Sequence, residues 1–276
     1  MLNAVFLDAL KNRDSKISKL KDSNFAKILS EASSRWVPYE PPPEKCESAG
    51  VDSSWNKRAF QGLHLYVVDA VAITSTNKIL AAEWEHDIAG SARADFLESM
   101  AMEMEASVAQ KAGDEVDIVC IDGSLVSRLL KSTVEAASEV VKKCGDCTFV
   151  SKSSESRLQF GPMGSRAGDI YYYGHAGKGA GFSVPVEMQF RHAPLLEVYA
   201  RLHDHTPMIR IEILGVTSKQ EITKILDKLN YHSVAGYPYC LKLAHNSCKI
   251  SNEDIDRLAS IFSLQHEQGA RDALNE

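Results

Sequence analysis

The chain has 276 residues, 44% hydrophobic and 25% charged, the balance of an ordinary globular protein rather than a disordered or fibrous one. No uninterrupted apolar run approaches the roughly 18 residues of a membrane span, and the opening "MLNAVFLDAL" lacks a basic leader, so a cytoplasmic protein without a membrane partner is expected. A net charge of −6 argues against a general nucleic-acid coat, and six scattered cysteines fit a reducing compartment better than a disulfide scaffold.

In chain order, residues 1–36 read as amphipathic helix among many lysines, with Val5, Phe6, Ala9 and Leu10 and then Ile17, Leu20, Ala26, Ile28 and Leu29. They suit either a partner surface or a solvated face. The proline-rich "VPYEPPPE" (37–44) is a linker signal, so residues 1–44 are set apart from a main domain at 45–276. Three strand signals follow: "AGVDSSW" (49–55), "HLYVVDAVAI" (64–73) and "KILAAEWE" (78–85). Their close spacing makes them antiparallel neighbours. Phe96, Leu97, Met100, Met104 and Val108 form the apolar stripe of a helix over 91–112. A buried strand at 116–121, a helix over about 125–143 and a short strand at 147–152 come next. This order is α/β, a ribonuclease H-like mixed sheet flanked by helices, with helical additions at the N- and C-terminal ends.

Beyond it, 161–183 reads as a glycine-rich loop, and "LLEVYARL" (195–202) and "MIRIEIL" (208–214) read as strands. Two helices open on capping boxes, Ser218 with Glu221 and Ser251 with Asp254, the second running to about residue 266.

Charge is unevenly spread. Residues 83–122 carry eleven acids and two bases, whereas 142–210 carry nine bases and six acids. That pattern suits a cation site beside an anionic polymer, and equally acids on solvated helix faces. Within the acidic part, Asp122 ends an otherwise apolar strand, a position that costs several kcal/mol unless a partner is present. Asp52 lies on the first strand, which neighbours the fourth in the expected order. Two carboxylates on adjacent buried strands repel unless one is protonated or a hard cation lies between them. Turn-capping aspartates are the bland alternative. A third acid is expected from the intervening helix. Glu103, three residues after Met100, lies at the edge of the apolar stripe and is preferred to Glu105 and Glu98. Such a set suits metal-assisted phosphodiester hydrolysis. Lys152 could hold a phosphate as a point charge or be simply solvated. Tyr171 to Tyr173 could stack bases or pack in a core.

Four stretches together resemble one family. "GYPYCLKLAHNSCKIS" (236–251), "GVDSSWNKRAFQGLHLYVVDAVAI" (50–73), "IVCIDGSLV" (118–126) and "FVSKSSESRL" (149–158) are similar to the NurA DNA-end-processing nucleases, over roughly residues 45–258. The resemblance implies a ribonuclease H-like core and a manganese-dependent deoxyribonuclease, with magnesium as the alternative ion. It implies single-strand endonuclease and 5′–3′ exonuclease activity in end resection for double-strand break repair. It also implies a homodimer that acts on single- and double-stranded DNA ends with a HerA-type hexameric ATPase. Carried over by position, Asp52, Glu103, Asp122 and His245 become the catalytic and metal-binding set, the glutamate being shared between two alignments of "MEMEAS". Lys152, Tyr199 and Arg210 become DNA-binding candidates. Asp52 departs from the pattern, being followed by Ser53 where glycine is expected.

Two rivals stand beside this reading. One is a non-catalytic adaptor docking on a motor ATPase at DNA ends. The other is a thiol or zinc protein using Cys144 and Cys147, although a structural zinc site usually needs two such pairs. "GHAGKGAGFS" lacks the Gly-Lys-Ser/Thr that would open a phosphate-binding helix.

Overall fold

The computed structural model describes residues 2–21, 24–131, 134–189, 193–215 and 218–264. Two helices, α1 (Leu2–Ser18) and α2 (Phe25–Ser34), precede β1 (Trp36–Pro38). α1 buries none of its residues, and Leu2, Phe6, Leu7 and Leu10 are all exposed. β1 lies inside the expected linker but joins the sheet by pairing with β7 (Gly181–Ser183).

One end of the sheet is β2 (Ser48–Ala59), β3 (His64–Thr74) and β4 (Ile79–Ala89), an antiparallel meander with β4 at the edge. Helix α3 (Ala94–Gly113) then crosses the sheet, and β5 (Ile118–Asp122) returns parallel to β2, with Val51 opposite Ile121. The expected helix over 125–143 is two helices, α4 (Leu125–Lys131) and α5 (Val134–Lys143). β6 (Thr148–Ser151) follows, parallel to β5. The order β4-β3-β2-β5-β6, with β2, β5 and β6 parallel, is the ribonuclease H arrangement.

The "glycine-rich loop" contains more structure than its composition suggested. Asp169–Ala176 is a helix, α6, before β7. Its aromatic side chains supply what the glycines lack: Tyr172 and Tyr173 are buried with Phe160 and Ile28 of α2. β8 (Val186–Gln189), β9 (Pro194–Arg201) and β10 (Ile209–Leu214) extend the sheet, with β10 antiparallel to both β9 and β6. The C-terminal part adds α7 (Lys219–Tyr231), the short ladder of β11 (Ser233–Val234) and β12 (Tyr237–Pro238), α8 (Tyr239–Cys248) and α9 (Asn252–Ile261). Both expected capping boxes form, at Ser218 with Glu221 and Ser251 with Asp254. Residues 265–266, where the last helix was expected to end, lie outside the described residues.

Strand alternation sorts the side chains into two layers. Ala49 and Val51 of β2, with Ile121 of β5, pack under Ala106, Val108 and Ala109 of α3 and against α4 and α5. Cys120, Val150, Val198 and Ile211 face the other way, against Ile222 and Leu226 of α7 and Leu241 of α8. Gly50 permits the closest contact of the second layer. A Cβ there would lie 2.3 Å from the carbonyl carbon of Cys240, so α8 rests directly on the β2 backbone. Among the described residues, no helix is long and apolar enough to cross a membrane.

Candidate metal centre

Asp52 and Asp122 belong to the α8 face of the sheet by the same alternation. Asp52 shares the parity of Gly50, and Asp122 that of Cys120. β2 continues past the end of β5, so the two carboxylates meet where β5 stops. α8 completes the group. The Nδ1 of His245 lies 2.9 Å from Asp52 Oδ2. Asp52, Asp122 and His245 each offer one ligand atom, and these atoms all lie within 4.8 Å of one another.

The two carboxylates are held differently. Asp52 Oδ1 accepts from the Ser53 amide at 2.9 Å. Asp122 Oδ1 accepts from the Tyr237 hydroxyl at 2.9 Å, and its other oxygen lies 3.9 Å from Lys152 Nζ. Burial, and then the negative charge of Asp52, push the Asp122 carboxyl above its ordinary range despite Tyr237 and Lys152. Asp69 on β3, opposite Ser54, is pushed up to about 7, mainly by burial with Asp52 adding to it. The site thus concentrates more negative charge than its own cations neutralise. Two carboxylates and an imidazole converging within this distance fit a hard or borderline divalent cation such as manganese or magnesium.

The helix acid differs from the sequence expectation. Glu103 is exposed on the solvent side of α3, whereas Glu105 is 3% exposed and faces the sheet. The apolar stripe misled because it was anchored on Phe96 and Met100. Phe96 is half exposed, and the buried face is centred on Leu97, Ala101, Val108 and Ala112. Glu105 lies across the sheet from Asp52. Its Oε1 accepts from Ser53 Oγ at 2.6 Å, and it forms an ion pair with Arg128. Arg128 in turn donates to the backbone carbonyl of Asp122. Glu105 is therefore tied to the neighbour of one centre aspartate and to the backbone of the other.

Two of the DNA-binding candidates, Tyr199 and Arg210, are buried. Tyr199 is fully buried and stacks on Tyr173, ring centroids 5.1 Å apart, so neither it nor Tyr173 offers a face to a base. Tyr172 is likewise core, and Tyr171 is half-buried beside Phe25. Arg210 is 4% exposed and bridges two acids. Its guanidinium lies 2.6 Å from Glu197 and 2.6 Å from Glu212, which face each other on adjacent strands. Like charges directly opposite would repel without it. Glu212 reaches on to the segment after Asp122, accepting from the Leu125 amide at 2.6 Å and from Ser124 Oγ at 3.2 Å. The "RIE" stretch thus fixes the exit of β5. Lys152, by contrast, sits at the centre with its side chain 64% exposed.

Tyr237, Lys242 and Arg128 were not singled out in the sequence. The first two lie within or beside the "GYPY" block, where a signal existed. Arg128, six residues after Asp122, carried none. Asp122, Lys152, Tyr237, Tyr239, Lys242 and His245 line a pocket of ≈ 330 Å³. Cys144 and Cys147 are both buried in the core beneath α3.

The order of strands, with two carboxylates meeting at the ends of neighbouring strands, defines a ribonuclease H-like domain with a carboxylate–histidine centre. Residues 187–250 match the NurA domain. The whole chain resembles NurA crystal structures in fold. The NurA nuclease from Sulfolobus solfataricus superposes with a TM-score of 0.82 at 18% identity, over 96% of this chain and 97% of that one. NurA bound to dAMP and manganese gives 0.68 at 12% identity over all of both chains, and NurA with manganese gives 0.63 at 12% over 96% and 97%. No curated protein sequence shows significant similarity to the chain.

Proposed function

We propose that this chain is a metal-dependent deoxyribonuclease, and that Asp52, Asp122 and His245 hold its cation. The observation that carries the reading is the convergence of their ligand atoms within 4.8 Å. The NurA match and the manganese and dAMP in NurA structures of the same fold support it. A divalent cation bound there would polarise the phosphate and lower the pKa of a water molecule. The chain's own groups have separable tasks. Tyr237 and the Arg128 contact hold Asp122 in place. Lys152 meets a non-bridging phosphate oxygen as a point charge. His245, held through Nδ1 against Asp52, is positioned by α8 to give the cation a ring nitrogen. Glu105 acts through Ser53 and Arg128.

End-labelled single-stranded DNA with manganese, magnesium or EDTA tests this directly. The wild type should cut only with the metals, and folded Asp122→Asn should lose on the order of 10²-fold or more. Metal-independent cutting would overturn the role of the cation, and no cutting by folded wild type even with a motor ATPase present would leave the adaptor reading in its place. End resection, 5′–3′ polarity, a second copy of the chain and a HerA-type motor extend the same proposal, supported by the resemblance and, for partners, by the exposed apolar residues of α1.

A further inference from the structure

A second space lies beside the candidate centre, apart from the pocket that contains His245. It is a cleft of ≈ 730 Å³ on the opposite side of the sheet's end. Its lining includes Ser124, Ser127, Ser153, Ser154, Ser156 and Arg157. The strand topology explains why it starts at the centre. β5 and β6 are parallel, with Asp122 opposite Val150, so the segments leaving their C-terminal ends run out side by side. Lys152, the first residue beyond β6, turns toward Asp122. Residues 153–157 then cross the end of the sheet. From Lys152 to Arg157 is five residues, at most about 18 Å. The cleft is therefore lined by Arg157 and, at its base, the buried Arg210, with serines between, and Lys152 stands beside it at the centre.

Two of the serines, Ser124 and Ser156, spend their hydroxyl protons holding the cleft in shape from below, which leaves Ser127, Ser153 and Ser154 to face a ligand. Ser124 Oγ donates to Glu212 and accepts from Arg210 at 3.1 Å, while Ser156 Oγ donates to Glu197 at 3.3 Å. The buried Glu197–Arg210–Glu212 group thus fastens both walls, the segment after Asp122 and the segment after Lys152. Arg157 is exposed while its backbone carbonyl accepts from the Gly161 amide at 2.7 Å, which fixes its place without occupying its side chain.

We infer that this cleft carries the sugar–phosphate backbone of a single nucleic-acid strand adjoining the phosphate at the carboxylate centre. The inference rests on the nuclease reading and assigns the strand a path across the end of the sheet. Serine hydroxyls and an arginine are suited to phosphate oxygens and carry no base preference. A crevice outside the carboxyl ends of parallel strands is also where open α/β sheets bind ligands. Glu155, the one carboxylate exposed in the cleft, opposes the bound phosphates.

The test uses the full chain and fluorescein-labelled oligothymidylates of four and twelve nucleotides, read by anisotropy in EDTA across a salt series. Arg157→Ala should weaken the twelve-mer about 5-fold at low salt and flatten the slope of log K against log salt by about 0.7, the loss of one single-strand phosphate contact. The four-mer, which has too few phosphates to fill the centre and the whole cleft together, should weaken less. Glu155→Gln should tighten the twelve-mer. Both side chains are exposed, so neither change threatens folding. An unchanged affinity and slope in Arg157→Ala, an equal loss for both lengths, or weaker binding by Glu155→Gln would overturn the cleft. Because binding is read without metal, the two ideas fail differently. A failed cleft leaves cutting intact with no Arg157 dependence of binding, and a failed nuclease reading leaves binding without cutting.

Discussion

Glu103 and Glu105 are two positions apart on α3, a rotation of about 200° around a helix of 3.6 residues per turn. One therefore meets solvent and the other the sheet. Exchange of each for glutamine separates their roles. Glu103→Gln should leave cleavage within about twofold, as expected for a solvated side chain away from any partner network. Glu105→Gln keeps the shape but removes the charge facing Arg128. Arg128 then loses the partner that holds it against the Asp122 carbonyl, and cleavage should fall by roughly 10–100-fold, as for residues that orient a metal ligand. Steady-state cleavage of single-stranded DNA in manganese, with circular dichroism to check folding, measures both. Equal activity of the two variants would dissociate Glu105 from the centre. The sequence offered both glutamates, and its apolar stripe favoured Glu103. The choice depended on which of Phe96 and Leu97 was buried, and that is set by β3 and β4 beneath the helix rather than by α3 itself.

At the scale of elements, His245 reaches Asp52 only because α8 lies directly on β2. Gly50 is the residue that allows it. Gly50→Ala would set a methyl group 2.3 Å from the Cys240 carbonyl carbon and 2.6 Å from the Leu241 amide nitrogen, so backbone must move. Overpacking of this kind costs about 1–3 kcal/mol. The urea midpoint should fall accordingly, and cleavage should fall further than the stability loss explains, because the shift carries His245 away from Asp52. A variant with the wild-type midpoint and activity would show that α8 can lift without cost to the site. Legibility followed the same line. The meander, α3, β5 and β6 were readable because periodicity and β-branched runs report one element packing on one sheet. Both capping boxes were readable because they are local. α6 was not, since its glycines and tyrosines signal a loop until α2 and Tyr199 cover it. α8 was not, since nothing in "YCLKLAHNSC" shows that its small contact residue is Gly50, far away in the chain. The aspartates at the centre were legible as breaks in pattern. The partners that hold them, Tyr237 and Arg128, were not, because a tyrosine after glycine or an arginine on a short helix has no pattern to break.

For the whole molecule, the centre is a join between distant parts of the chain. Asp52 and His245 are 193 residues apart in sequence. Asp122 comes from a third element, and the hydroxyl that orients it comes from β12. Without a cation, burial first and the charge of Asp52 in addition raise the carboxyls of Asp122 and Asp69. With one, three elements are tied together. A ligand at 100 times its dissociation constant adds about 2.7 kcal/mol to the folded state. For a chain of this size that corresponds to roughly 5 °C in Tm. Manganese in place of EDTA should therefore raise the melting temperature of the wild type by that amount. Asp122→Asn should behave in the opposite sense on both counts. Removing one of two repelling charges should raise its melting temperature in EDTA above that of the wild type, and manganese should then add little. Differential scanning calorimetry of the two proteins with and without manganese gives all four numbers. A manganese shift of the same size in both would place the cation somewhere other than between these strands. A variant less stable than the wild type in EDTA would mean that the Tyr237 bond to Asp122 outweighs the repulsion from Asp52.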